Sequence, residues 1–155
     1  MRATEAVGLF AAMVTAAGEA APARTSLVLV RDGQPASSIV IAKEATRSAQ
    51  FAACELRWHL RQITGAEVPI VRDDEPVSGT RILVGESAAL GSQNASFQPQ
   101  EYLIRFLPDT LVLMGRDKED RGVVKYGPAP DAAALETWPS LWDEQGTMYA
   151  VYDFL

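Results

Sequence analysis

The chain has 155 residues, a formal net charge of −6 at pH 7 and 22% charged residues. That length suits one domain around one sizeable core, and the acidic balance argues against a nucleic-acid partner, which would need a basic face. Cys54 is the only cysteine and His59 the only histidine, so one chain can build neither a disulfide framework nor a thiolate or histidine-rich metal site.

The first 24 residues read as a signal peptide or a disordered tail. Arg2 supplies a positive start, Ala6 to Ala17 an apolar run, and Ala21-Pro22-Ala23 a small-residue cleavage pattern. Glu5 and Glu19 depart from that pattern. Cleavage near Arg24 would place the protein in the periplasm or outside the cell; without it the protein would be cytoplasmic. The run is too short to span a bilayer.

From residue 25 onward the pattern is that of one domain. Leu27-Val28-Leu29-Val30 and Ser38-Ile39-Val40-Ile41 flank Asp32-Gly33 and predict an antiparallel hairpin with a loop longer than two residues. A helix follows from Thr46, whose hydroxyl suits an N-cap, to Gly65, which suits the left-handed stop. Ala49, Ala52, Ala53, Leu56, Leu60 and Ile63 share one stripe of it. Phe51 and Trp58 lie on the opposite side, flanked by Cys54. Two large aromatics there predict a docking patch for another domain or subunit. His59 falls at the flank of the stripe and reads as a boundary residue.

Val68 to Val71 predicts a short strand, with Pro69 either confining it to an edge or limiting its pairing. Arg81 to Val84 predicts a buried strand ending at Gly85. A lone glycine without a GxGxxG or GxxxxGK[ST] pattern is a plain strand end, so no cofactor is expected. Glu86 to Leu90 suits a short helical turn. Asn94-Ala95-Ser96 matches a glycosylation sequon, relevant only in a eukaryotic secretory host. Glu101 to Leu107 and Thr110 to Gly115 form the clearest hairpin, turning at Pro108-Asp109. A long segment from Arg116 to Trp142 carries a helical turn at Ala132 to Glu136. Met148, Val151, Tyr152 and Leu155 then mark the core stripe of a last helix, which carries no stop signal.

This order, β-β-α-β-β-β-β-α, predicts an α+β fold: a mixed or antiparallel sheet of about six strands with two main helices on one face. Candidate chemistry is sparse. Trp138, Trp142 and Asp143 combine aromatic platforms with a carboxylate, as a sugar site does. The other reading is that the two tryptophans pin the long segment to the core. Asp117, Glu119 and Asp120 cluster at the start of that segment, but no acid/base or nucleophile pair stands out, and no catalytic residue, cofactor site or metal site is assigned.

Three stretches carry a resemblance. They are Glu55-Leu56 through Thr64-Gly65-Ala66-Glu67-Val68-Pro69-Ile70-Val71, then Arg81-Ile82-Leu83-Val84-Gly85, then Gly146-Thr147-Met148-Tyr149-Ala150-Val151-Tyr152-Asp153-Phe154-Leu155. Together they resemble the N-terminal domain of α-glucuronidases and related bacterial glycosidases. That domain is similar to the small α+β domain preceding the barrel in β-N-acetylhexosaminidases. The resemblance implies a (β/α)8 catalytic barrel as the partner, following the last helix in the parent chain, with the catalytic carboxylates on that barrel. It implies a non-catalytic accessory domain here, cut off before the barrel. A freestanding glycan-binding module using the Trp138 to Trp142 segment is the alternative.

Overall fold

In the computed structural model, which describes residues 26–93 and 96–155, the chain first turns at Asp32-Gly33. Both residues have left-handed backbone, at φ 51° and 72°. That is the geometry of a two-residue hairpin turn whose twist matches its strands. The expected longer loop is therefore corrected: β1 (Val30–Arg31) and β2 (Gln34–Pro35) pair directly across these two residues. Ser38 to Ile41 does not close that hairpin. It belongs to β3 (Ser37–Ile41), whose five residues are all buried, as expected of a strand covered on both faces.

The main sheet also contains β4 (Ile70–Arg72), β5 (Thr80–Val84), β6 (Tyr102–Leu107) and β7 (Thr110–Gly115), in the order β4-β3-β5-β7-β6. Three of its pairings are parallel and only β6–β7 is antiparallel. The fold is thus mixed α+β, with a five-stranded sheet and a separate two-stranded ribbon. β4, which begins just after Pro69, is an edge strand, one of the two outcomes that Pro69 allows.

Helix α1 (Arg47–Thr64) connects β3 to β4. Thr46 caps its start by accepting the Ala49 N–H, and Gly65 ends it at φ 75°. Helix α3 (Gly146–Phe154) lies beside it, after the four-residue α2 (Ala132–Leu135). Alternation along the strands sends Ile39, Ile41, Ile82, Val84, Leu111 and Leu113 toward these two helices. Val40, Leu83, Val112 and Met114 go to the other face, under Leu90, Phe97 and Val77. Each fully buried aliphatic side chain contributes about 1.5–3 kcal/mol.

Three stripe positions are corrected. Ile63 is 71% exposed, and Leu60 is the last residue of the α1 stripe to reach the core. On α3 the buried residues are Gly146, Thr147, Met148, Ala150 and Val151, while Tyr152 and Leu155 face outward. Tyr152 instead reaches sideways and donates its hydroxyl to Glu55 of α1 at 2.9 Å. No helix among the described residues is long and apolar enough to cross a membrane. The expected signal segment and Asn94 and Ala95 of the sequon lie outside the described residues.

Candidate functional site

β3, β5 and β7 run parallel, so the chain leaves all three at one end of the sheet. In open sheets this end is where ligands are received. The N-termini of α1 and α3 arrive at the same end, and Asp117 joins them. Its Oδ2 accepts the Thr46 hydroxyl at 2.9 Å. Its Oδ1 accepts the Ser48 hydroxyl at 3.0 Å and the Thr147 N–H at 2.9 Å. A carboxylate at a helix N-terminus answers unpaired N–H groups and the positive end of the dipole. Burial nevertheless pushes the Asp117 carboxyl up from its ordinary range, against the pull of these bonds.

Beyond Asp117 the chain is locked to the segment before α3. Lys118 N–H donates to the Glu144 carbonyl at 2.8 Å, and Gly146 N–H donates to the Arg116 carbonyl at 2.8 Å. The crossing is tight. A Cβ on Gly115 would lie 2.4 Å from the Gly146 carbonyl carbon, and one on Gly146 would lie 2.5 Å from Arg116 N. Outside this ladder Arg116 pairs with Glu144 at 2.8 Å and Lys118 with Asp143 at 3.1 Å.

These segments form one wall of an open cleft of about 670 Å³, completed by Glu86, Ser96 and Phe97. Trp142 stands in its lining at 94% exposure. Five carboxylates and two cations line the cleft, a balance that disfavours an anionic ligand. The available groups are an aromatic face and hydrogen-bonding carboxylates, which suit a neutral polyhydroxylated ligand. Among the described residues no cluster of three or more His, Cys, Asp or Glu side chains is arranged to hold a metal ion.

The sequence-expected site residues separate. Trp142 and Asp143 are in the cleft, but Trp138 is not. It packs edge-on against Phe51 with centroids 4.7 Å apart, stacks with Tyr126 at 6.0 Å, and donates Nε1–H to the Lys125 carbonyl at 2.9 Å. Trp138 is thus one of the pins that hold the long segment to α1. Gln50 reinforces it by donating to the Gly122 carbonyl and accepting from Val124 N–H. Arg47 adds a donation to the Glu136 carbonyl at 3.1 Å and an ion pair with Asp120 at 3.1 Å. The Arg47 Nε is near enough to Asp120 for charge attraction but is not aligned for a hydrogen bond, so the carbonyl contact fixes the side chain.

The expected docking patch is corrected at Phe51. That ring is buried beneath Tyr126 and Trp138, because the chain's own long segment covers this side of α1. Cys54 is half-buried, and burial pushes its thiol up, away from reactive thiolate. Trp58 is 44% exposed and meets His59 edge-on at 4.7 Å. It borders a groove of about 220 Å³ with Arg57, Tyr126 and Pro128.

Two features escaped the sequence reading. Asp117 accepts the Thr147 N–H at the start of α3 and holds the start of α1 through the Thr46 and Ser48 hydroxyls, a role signalled only by its place two residues beyond the strand-ending Gly115. Glu55 accepts the hydroxyls of both Tyr126 and Tyr152, bringing together residues distant in sequence. Burial and the Glu55 contact push both phenols up. No family model matches this sequence, and no curated protein matches it.

Proposed function

We propose that the domain is a non-catalytic accessory domain of a carbohydrate-active, α-glucuronidase-like glycoside hydrolase, bracing a (β/α)8 barrel of the same parent chain. The observation that carries this reading is the use of the carboxylates at the strand ends. Asp117 is bound to two helix N-termini, and Asp143 and Glu144 are held in ion pairs that close the wall of the cleft. Glycoside hydrolysis asks for two carboxyl groups facing one bond, one of them protonated. These groups serve as struts instead. The sequence resemblance supplies the identity of the barrel, and the pinned long segment gives the domain a firm surface to offer it.

A second reading is a glycan-binding module. Trp142 favours it, since an exposed indole face beside carboxylates is the arrangement on which a sugar ring stacks.

Export through the N-terminal segment would place either form in the periplasm or outside the cell. The test of the first reading is the transcript that encodes the chain. A reading frame continuing past Leu155 into about 250 residues of strand–helix units supports it. A stop codon directly after Leu155 rejects it and leaves the second.

A further inference from the structure

The two edges of the main sheet are finished differently. β4 has three residues, follows Pro69 and runs into Arg72-Asp73-Asp74. Shortness, proline and charge are the usual devices that keep an edge from pairing. β6 has six residues, Tyr-Leu-Ile-Arg-Phe-Leu, with neither proline nor lysine. Tyr102 and Phe106 are 40% and 54% exposed.

Two hydrogen bonds fix which β6 residues turn their backbone outward. Arg116 N–H donates to the Glu101 carbonyl at 3.0 Å, so the odd-numbered residues bond toward β7. Gly85 N–H donates to the Leu113 carbonyl at 2.9 Å, so Leu113 bonds away from its β6 partner Ile104. The backbone groups of Tyr102, Ile104 and Phe106 therefore face off the sheet. They have no hydrogen-bond partner among the described residues.

We propose that β6 pairs antiparallel with β6 of a second copy of this chain, about a two-fold axis at Leu103, making one sheet continuous across both copies. An isologous pair must set the outward-bonding residues opposite one another. Axes at Leu103, Ile104 and Arg105 all do so. An axis at Arg105 opposes two guanidinium groups. An axis at Ile104 sets Arg105 against leucine. The axis at Leu103 sets Tyr102 against Ile104 and Glu101 against Arg105, the latter pair occurring twice. Charge complementarity selects this register. Glu101 already accepts the Gln98 N–H with Oε2 at 2.7 Å, which leaves its other oxygen for the guanidinium of the second copy. This pairing is independent of how the cleft is used.

The experiment is sedimentation equilibrium of the full chain, with Arg105→Glu and the double swap Glu101→Arg/Arg105→Glu beside it. Amide exchange of the wild-type chain is followed at low and high concentration. The pairing predicts a concentration-dependent dimer. Arg105→Glu should raise its Kd about tenfold, and the double swap should recover most of that loss. The amides of Tyr102 and Ile104, which face one another in this register, should slow as the dimer forms. A monomer at every concentration overturns the proposal. So does a dimer indifferent to the charge changes, or protection of these amides in a monomer.

Discussion

Asp117 accepts the hydroxyl of Thr46 at 2.9 Å across 71 positions of chain. One side chain thereby ties the end of β7 to the start of α1, and through Thr147 N–H to the start of α3. The strand end, the helix caps and the wall of the cleft are a single unit, so a change at one should be felt at the others.

The pH dependence of this unit has a definite sign. Burial raises the folded pKa of Asp117 above its ordinary 3.8, so the folded chain holds this proton more tightly than the unfolded chain. The resulting stabilisation is fully present below the unfolded value and is lost as pH rises through the raised folded value. Asp117→Asn removes this titration. Wild-type stability relative to that variant should fall across this window and then level off. Urea unfolding of both proteins from about pH 3 to pH 7 measures it. A wild type that gains on the variant as pH rises would contradict the account.

The glycine crossing should tolerate no side chain. Gly115→Ala puts a methyl group against the Gly146 backbone, and backbone cannot swing aside as a side chain can. A loss of about 2–4 kcal/mol is expected, read as a drop in the urea midpoint. Gly127→Ala meets nothing within 4 Å and is the control, with a change under about 0.5 kcal/mol.

Phe51 and Trp58 should behave oppositely although they share a side of α1. Phe51→Ser removes a ring held between Tyr126 and Trp138 and should cost about 3–5 kcal/mol. Trp58→Ser should cost less than about 1 kcal/mol. Thermal unfolding of the two single variants decides it; equal losses would mean that the long segment does not cover Phe51.

Much of the framework was legible in the sequence because it rests on local rules. The Thr46 and Gly65 caps, the Pro108-Asp109 hairpin and the edge position that Pro69 allows all follow from residues near one another. Ser38 to Ile41 meets other strands than the expected hairpin partner because a buried apolar run does not say which strand it will meet. Phe51 departs from expectation for a related reason. Helical periodicity divides a helix into faces, but it cannot show that a segment 70 or more positions away, carrying Tyr126 and Trp138, will fold over the second face. The same blindness joined Trp138 to Trp142 as neighbours in sequence, when one pins a loop and the other lines the cleft.

Trp142 provides a separate handle on the cleft. At 94% exposure its replacement by alanine should leave the unfolding free energy within about 0.5 kcal/mol of wild type. If neutral oligosaccharides enter the cleft, they should alter tryptophan fluorescence in the wild type, and this response should vanish in Trp142→Ala. A response that persists in the variant would place binding elsewhere.

The central claim is that this domain braces a glycosidase barrel without taking part in its chemistry. The most direct measurement uses the parent glycosidase that the proposal calls for, carrying Asp117→Asn or Asp143→Asn, assayed on an aryl glycoside and corrected for folded fraction. The account predicts kcat within about twofold of wild type, with the change appearing in thermal stability instead. A fall in kcat of about a hundredfold or more, in enzyme that remains folded, would show that a carboxylate of this cleft belongs to the catalytic machinery.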